Sequence, residues 1–152
     1  NFTIKSQEAI QQAQILVQSY GQQQIENEHI FKAILEVDEN VTPFILKKVN
    51  VNVELFKQLL TATIENYPKV SGGQISLSRE ASNALTDAQA IAQKMNDEYV
   101  SVEHLILAIF KSKNKELGIK VSSNTYFFIN KKTSKIDGKL LFLMFLILLR
   151  SF

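Results

Sequence analysis

An internal repeat constrains this chain more than any other feature. With His29 laid on His104, an offset of 75 residues, Ala9, Ala13, Gln14, Glu28, His29, Ala33 and Ile34 fall on Ala84, Ala88, Gln89, Glu103, His104, Ala108 and Ile109. Thr3 meets Ser78, Ile25 meets Val100 and Ile30 meets Leu105 in kind. Identities spread this widely with no gap point to duplication of one unit.

Each copy reads as a long helix, a short polar connection and a second helix. Copy one covers about residues 2–36 and copy two about residues 77–111. Ala9, Ile10, Ala13, Leu16, Val17 and Tyr20 recur at helical spacing in the first copy; Ala81, Ala84, Leu85, Ala88, Ile91, Ala92 and Met95 do so in the second. The alanines on these stripes imply close approach of helices. Thr3 and Ser78 stand where a hydroxyl would cap each long helix, and Glu28 and Glu103 stand where a first-turn acid favours the second. Between the copies, Thr42 and Pro43 read as an N-cap followed by proline at the first helical position, leading into Phe44, Ile45, Leu46 and Val49. Val53, Phe56, Leu59, Leu60, Ile64 and Tyr67 form a further stripe that stops at Pro68, and residues 68–73 form a loop. No stretch alternates with period two. The expected fold is all-α, a pseudo-twofold duplicated helical repeat joined by a helical linker.

Composition narrows the function. Apolar residues make up 45% and charged residues 21% of the 152, as in an ordinary globular protein. The net charge of +2 hides an asymmetry, since residues 1–119 carry a balance of −3 and residues 120–152 a balance of +5. The mildly acidic body lacks the clustered positive charge of a nucleic-acid footprint, so no nucleic-acid partner is expected. Cysteine is absent, which excludes disulfides and thiolate chemistry and fits a reducing, cytoplasmic setting. The first residues do not read as a secretory signal, and Asn1 in place of Met suggests a trimmed start.

Catalytic motifs are missing. Gly72 and Gly73 are followed by Gln-Ile-Ser rather than by the Gly-Lys-Ser/Thr of a phosphate cradle, and no serine sits in Gly-x-Ser-x-Gly. His29 and His104 could be imagined as a two-histidine metal site, but their equivalent places in the two copies point to packing or capping. No metal site, cofactor or catalytic activity is expected of this chain.

Residues 2–9 (Phe-Thr-Ile-Lys-Ser-Gln-Glu-Ala), the turn Ile25-Glu26-Asn27-Glu28-His29 and the segment Ser101-Val102-Glu103-His104-Leu105 resemble the Clp N-terminal repeat domain, and the likeness runs to about Lys115. The phrase Tyr67-Pro68-Lys69-Val70-Ser71-Gly72-Gly73 is similar to the inter-repeat linker of ClpB-type disaggregases. Asn27 stands where those relatives usually have proline. The resemblance implies a non-catalytic domain, residues 1–115, that binds unfolded or aggregated polypeptide. It would hand clients to the ATPase rings of a parent stress-response hexamer, whose ATP and magnesium lie outside this chain. Thr3, Asp97 and Glu103 match positions that the resemblance implicates in client handling. Ile91, Met95 and Tyr99, near the end of the long second-copy helix, are candidates for apolar client contact, although a helical stripe usually means core. An alternative is a ClpC-type module that docks adaptors or binds phosphorylated arginine, with Glu28 and Glu103 as the recognising acids.

The resemblance stops near Glu116. Residues 116–152 form a basic tail ending in ten apolar residues, 140–149, flanked by Lys139 and Arg150. As a helix ten residues span about 15 Å, half a bilayer core of about 30 Å, so a membrane partner is not expected from a spanning segment. Three readings of the tail stand: an out-of-frame or truncated gene end, a hydrophobic helix packed on the body or on a second copy, or a peripheral membrane anchor. The last would make this a membrane-associated helical protein.

Overall fold

The computed structural model describes residues 1–48 and 51–116. The elements run α1 (Ile4–Ser19), β1 (Gln24–Ile25), α2 (Asn27–Val37), α3 (Val41–Lys48), α4 (Val53–Glu65), β2 (Ser76–Leu77), α5 (Arg79–Lys94) and α6 (Val102–Glu116). The fold is all-α, with two strands of two residues each. Residues 117–152, and with them every reading of the tail, lie outside the described residues, as does Val49. Among the described residues, no helix is long and apolar enough to cross a membrane.

The offset of 75 reappears in the packing. The buried residues of α1, namely Ser6, Ala9, Ala13, Leu16 and Val17, correspond one for one to Ala81, Ala84, Ala88, Ile91 and Ala92 of α5. The alanines among them, Ala9 and Ala13 in α1 and Ala81, Ala84, Ala88 and Ala92 in α5, let α1 lie close on α2 and α5 close on α6. Phe31 of α2 ties the halves together, meeting Phe56 of α4 edge-on at 5.0 Å and Phe110 of α6 at 5.6 Å. Thr3 Oγ1 accepts from Ser6 N at 3.2 Å and Ser78 Oγ from Ala81 N at 3.1 Å, so both expected caps form.

The strand pairings cross between the halves. β1 and β2 run parallel with Ile25 opposite Leu77, and Phe2 pairs with Val100. These two pairs are equivalent under the same offset, with the halves exchanged. Thr3 N–H donates to the Val100 carbonyl at 2.9 Å, as Ser78 N–H donates to that of Ile25 at 3.0 Å. Each long helix therefore begins against the connector of the other half. The arrangement is consistent with a duplicated unit.

Two local expectations are corrected. Helix α3 begins at Val41, so Thr42 and Pro43 lie inside its first turn, where proline still loses no backbone bond. Its cap is Asp38, whose carboxylate accepts from Asn40 N, Val41 N, Thr42 N and Thr42 Oγ1 at 3.3, 3.2, 2.8 and 2.7 Å. Tyr67 does not extend the α4 stripe, because α4 ends at Glu65 with Asn66 as its C-cap.

Asn27, the first residue of α2, carries a further consequence. Its Oδ1 is buried with no hydrogen-bond partner among the described residues, and its Nδ2 only approaches Ser112 Oγ at 3.5 Å. Glu26 before it is extended, at φ −92 and ψ 166, which suits the residue preceding a proline. Asn27→Pro should therefore stabilise the fold by about 1 kcal/mol, through a restricted unfolded chain and the loss of an orphaned acceptor. Thermal melts check this; a lower melting temperature in the variant would contradict it.

Candidate functional site

The crossing pairs create two junctions of matching backbone and different chemistry. At the first, Asn1–Thr3 lies against Val100. Val100 N–H donates to the Asn1 carbonyl at 2.8 Å, and Ser6 Oγ adds a 2.9 Å bond to the Val100 carbonyl. The loop that carries Val100 leaves α5 through Met95 and turns at Asn96, whose φ of 57 is one that asparagine adopts at little cost. Asp97 N–H then returns to the Ala92 carbonyl at 2.9 Å. The matching turn after α1 uses Gly21 at φ 66, and Gln22 N–H returns to Val17 at 2.9 Å.

Each histidine closes its own junction. His104 Nδ1 accepts from Ser101 N at 2.9 Å, so Nε2 carries the proton and donates to Asp97 Oδ2 at 3.0 Å. His29 Nδ1 accepts from Glu26 N at 3.0 Å, and Nε2 donates to Gln22 Oε1 at 2.7 Å. Gln22 in turn donates to the carbonyls of Ile64 and Tyr67. Ser101 Oγ lies 3.0 Å from His104 Nδ1, giving the order hydroxyl, imidazole, carboxylate. That order does not make a nucleophile here, since the Nδ1 lone pair already serves a backbone amide. His29 performs the same cap with no hydroxyl beside it. Both rings act as helix caps, the role their repeat positions suggested. Burial pushes the His29 pKa down from 6.5 to about 4, against a smaller upward pull from the Glu28 carboxylate.

Of the residues singled out from sequence, five gather at the first junction. Thr3 caps α1 beside Val100, and Met95 ends α5 half-buried against the core. Asp97 and Tyr99 lie in the exposed loop, and Glu103 is half-buried in the first turn of α6. Ile91 does not join them. It is 2% exposed and equivalent to Leu16, so it packs in the core and has no surface to offer a client in this conformation. Glu28 is 6% exposed, and its Oε2 accepts from the Tyr67 hydroxyl at 2.7 Å.

Sequence reasoning missed Ile4. It is the first residue of α1, 76% exposed, and follows Thr3 directly; Tyr99 across the junction is 47% exposed. The available signal was phase, since Ile4 falls off the stripe of Ala9, Ala13 and Leu16. Its counterpart in the second half is Arg79, so the exposed isoleucine at the start of the long helix belongs to the first junction; the exposed apolar side chains at the second are Leu77 and the linker's own Val70. The first junction thus combines exposed Ile and Tyr with Asp97, Glu98 and Glu103. Such a surface can hold an apolar segment and pair with a cation beside it.

The profile of the Clp repeat (R) N-terminal domain matches residues 1–119. The chain belongs to the Clp repeat N-terminal domain family. Chaperone protein ClpB of Bacteroides thetaiotaomicron is 48% identical over 114 residues, which is 75% of this chain and 13% of that protein. ClpB of Porphyromonas gingivalis is 42% identical over 113 residues, 74% of this chain and 13% of that protein. The chain therefore spans about one eighth of these ClpB relatives. Among solved structures, the Hsp104 N-terminal domain from Candida albicans superposes with a TM-score of 0.71 at 22% identity, covering 90% of this chain and 95% of that one. The N-terminal domain of the ClpV1 ATPase from E. coli gives 0.69 at 19% identity, covering 92% and 82%. These Clp-family structures share the helical fold.

Proposed function

We propose that this Clp repeat domain is the client-binding module of a ClpB-type chaperone. It takes unfolded or aggregated polypeptide at the first junction and has no catalytic role of its own. What supports the reading is that Thr3, which the exposed Ile4 follows, is hydrogen-bonded to Val100, with the exposed Asp97 and Tyr99 just before that residue in the chain and Glu103 just after it. Apolar contact supplies affinity without strict sequence, and the acids select segments that bring Lys or Arg. ATP, magnesium, the hexameric rings and a cytoplasmic setting belong to the parent chaperone on this reading.

The test is binding of a permanently unfolded model protein to the full chain. Ile4→Ser should weaken it about tenfold, because an apolar side chain that is solvated in the free module is buried in the complex. Asp97→Ala and Glu103→Ala should each weaken it by about two- to fivefold, as rim charges do. All three should keep the helical circular dichroism signal. Normal binding by all three variants would remove the site assignment. In the ClpC-type alternative, free phosphoarginine would bind saturably through Glu28 and Glu103; the Tyr67 contact on Glu28 favours the ClpB-type reading. The membrane reading rests on residues outside the described ones and is tested by liposome flotation with and without residues 136–152.

A further inference from the structure

The second junction already has an occupant, and it is the chain's own linker. Residues 67–73 leave α4 and cross the turn after α1 before entering β2. Tyr67 stacks on His29 with ring centroids 5.7 Å apart and places its hydroxyl on Glu28. Three residues on, Val70 N–H donates to the Gly21 carbonyl at 3.0 Å. Gln22 holds the Tyr67 carbonyl, and Ser76 N–H donates to that of Gln23 at 3.0 Å. Gly73, at φ 107, passes so close to Gln23 that a Cβ would lie 2.6 Å from its Nε2.

The residues of the first half that hold the linker have counterparts at the first junction under the 75-residue offset. Gly21, Gln22, Gln23, Glu28 and His29 become Asn96, Asp97, Glu98, Glu103 and His104. The backbone matches in the left-handed turn, the return hydrogen bond and the histidine cap. Exposure does not match, for Gln22 and Glu28 are buried while Asp97 is exposed and Glu103 half-buried.

We propose that the linker shows in cis how a client is held in trans at the first junction. The client is an extended segment whose phenol donates to Glu103 and whose backbone N–H, three residues on, donates to the Asn96 carbonyl. Where the linker meets the neutral Gln22 and Gln23, the client meets Asp97 and Glu98, so Lys or Arg is favoured between those two anchors. Lys69 occupies that interval in the linker itself. This rests on the client-binding reading above and adds the pattern that it selects.

The probe is a fluorescently labelled peptide of residues 65–73, added to the full chain and followed by anisotropy. Saturable binding is expected. It should weaken about tenfold with Tyr67→Phe in the peptide, and similarly with Glu103→Gln in the protein, the cost of one hydrogen bond to a carboxylate. Glu28→Gln in the protein should leave it unchanged, since that acid serves the resident linker. No saturable binding, or binding that follows Glu28 rather than Glu103, overturns the proposal. If the peptide fails while the unfolded protein still loses affinity in Asp97→Ala and Glu103→Ala, the linker analogy falls and the client surface stands. Failure of both removes the client surface as well.

Discussion

Lowering the pH from 7 to 4 should remove roughly 3 kcal/mol of folding stability through His29 alone. The ring is fully buried and must stay neutral, because Nδ1 accepts the Glu26 amide while Nε2 donates to Gln22. A proton on Nδ1 would face a backbone N–H. The folded pKa of about 4 lies below the ordinary 6.5, so between these values the unfolded chain binds a proton that the native state refuses. Stability is therefore complete above pH 6.5, falls as pH drops through the interval, and levels off for this group below about 4. Urea melts at several pH values measure the slope. His29→Gln keeps an acceptor at the third helical position, as in a capping box, and cannot titrate. That variant should be less stable at pH 7 yet nearly free of this slope, and equal slopes in both proteins would contradict the account.

Asp38→Ala should cost about 3 kcal/mol at neutral pH. Burial alone would raise the Asp38 pKa, but the Thr42 hydroxyl and the amides of Thr42, Val41 and Asn40 outweigh it and hold the carboxyl below its usual 3.8. Lys5 adds an ion pair at 3.3 Å, linking α1 to the α2–α3 connection. Removing the carboxylate leaves the amide and hydroxyl of the buried Thr42 without their acceptor. Asp38→Asn keeps one acceptor oxygen and should cost less than half as much. Because the native pKa is depressed, this contribution is present above the ordinary carboxylate range and is lost as pH falls below it. Chemical denaturation of the two variants at pH 7 checks the order, and an alanine variant within 1 kcal/mol of wild type would contradict it.

Helical periodicity made the core readable. The stripe of Ala9, Ala13, Leu16 and Val17 is buried as expected, and its repeat at Ala84, Ala88, Ile91 and Ala92 shows that one pattern serves both halves. The caps Thr3 and Ser78 were legible because N-cap hydroxyls act locally. Asp38 was not, since it caps from outside the helix while also ending α2, and Thr42-Pro43 offered a stronger local signal. The crossing β pairs could not be read either, because two-residue strands carry no periodicity. For the site, the acids and Tyr99 were visible as residue types. Their meeting with Ile4 depends on Thr3 pairing with Val100, a contact ninety-seven residues away in sequence. Tyr67 was misplaced for the same reason, its partner Glu28 being set by tertiary packing rather than by the α4 stripe.

The same geometry divides two surfaces that the repeat alone would treat as equal. One junction is filled by residues 67–73, and the other presents Ile4, Asp97, Tyr99 and Glu103 to solvent or half-exposed. A rival apolar surface exists on α3 and α4, where Phe44 and Leu55 are exposed. Titrating an unfolded client into the isotope-labelled chain and following its backbone amide resonances separates these surfaces directly. Shifts confined to residues 1–4 and 95–104 are the predicted result; shifts centred on residues 22–29, or on Phe44 and Leu55, would contradict it.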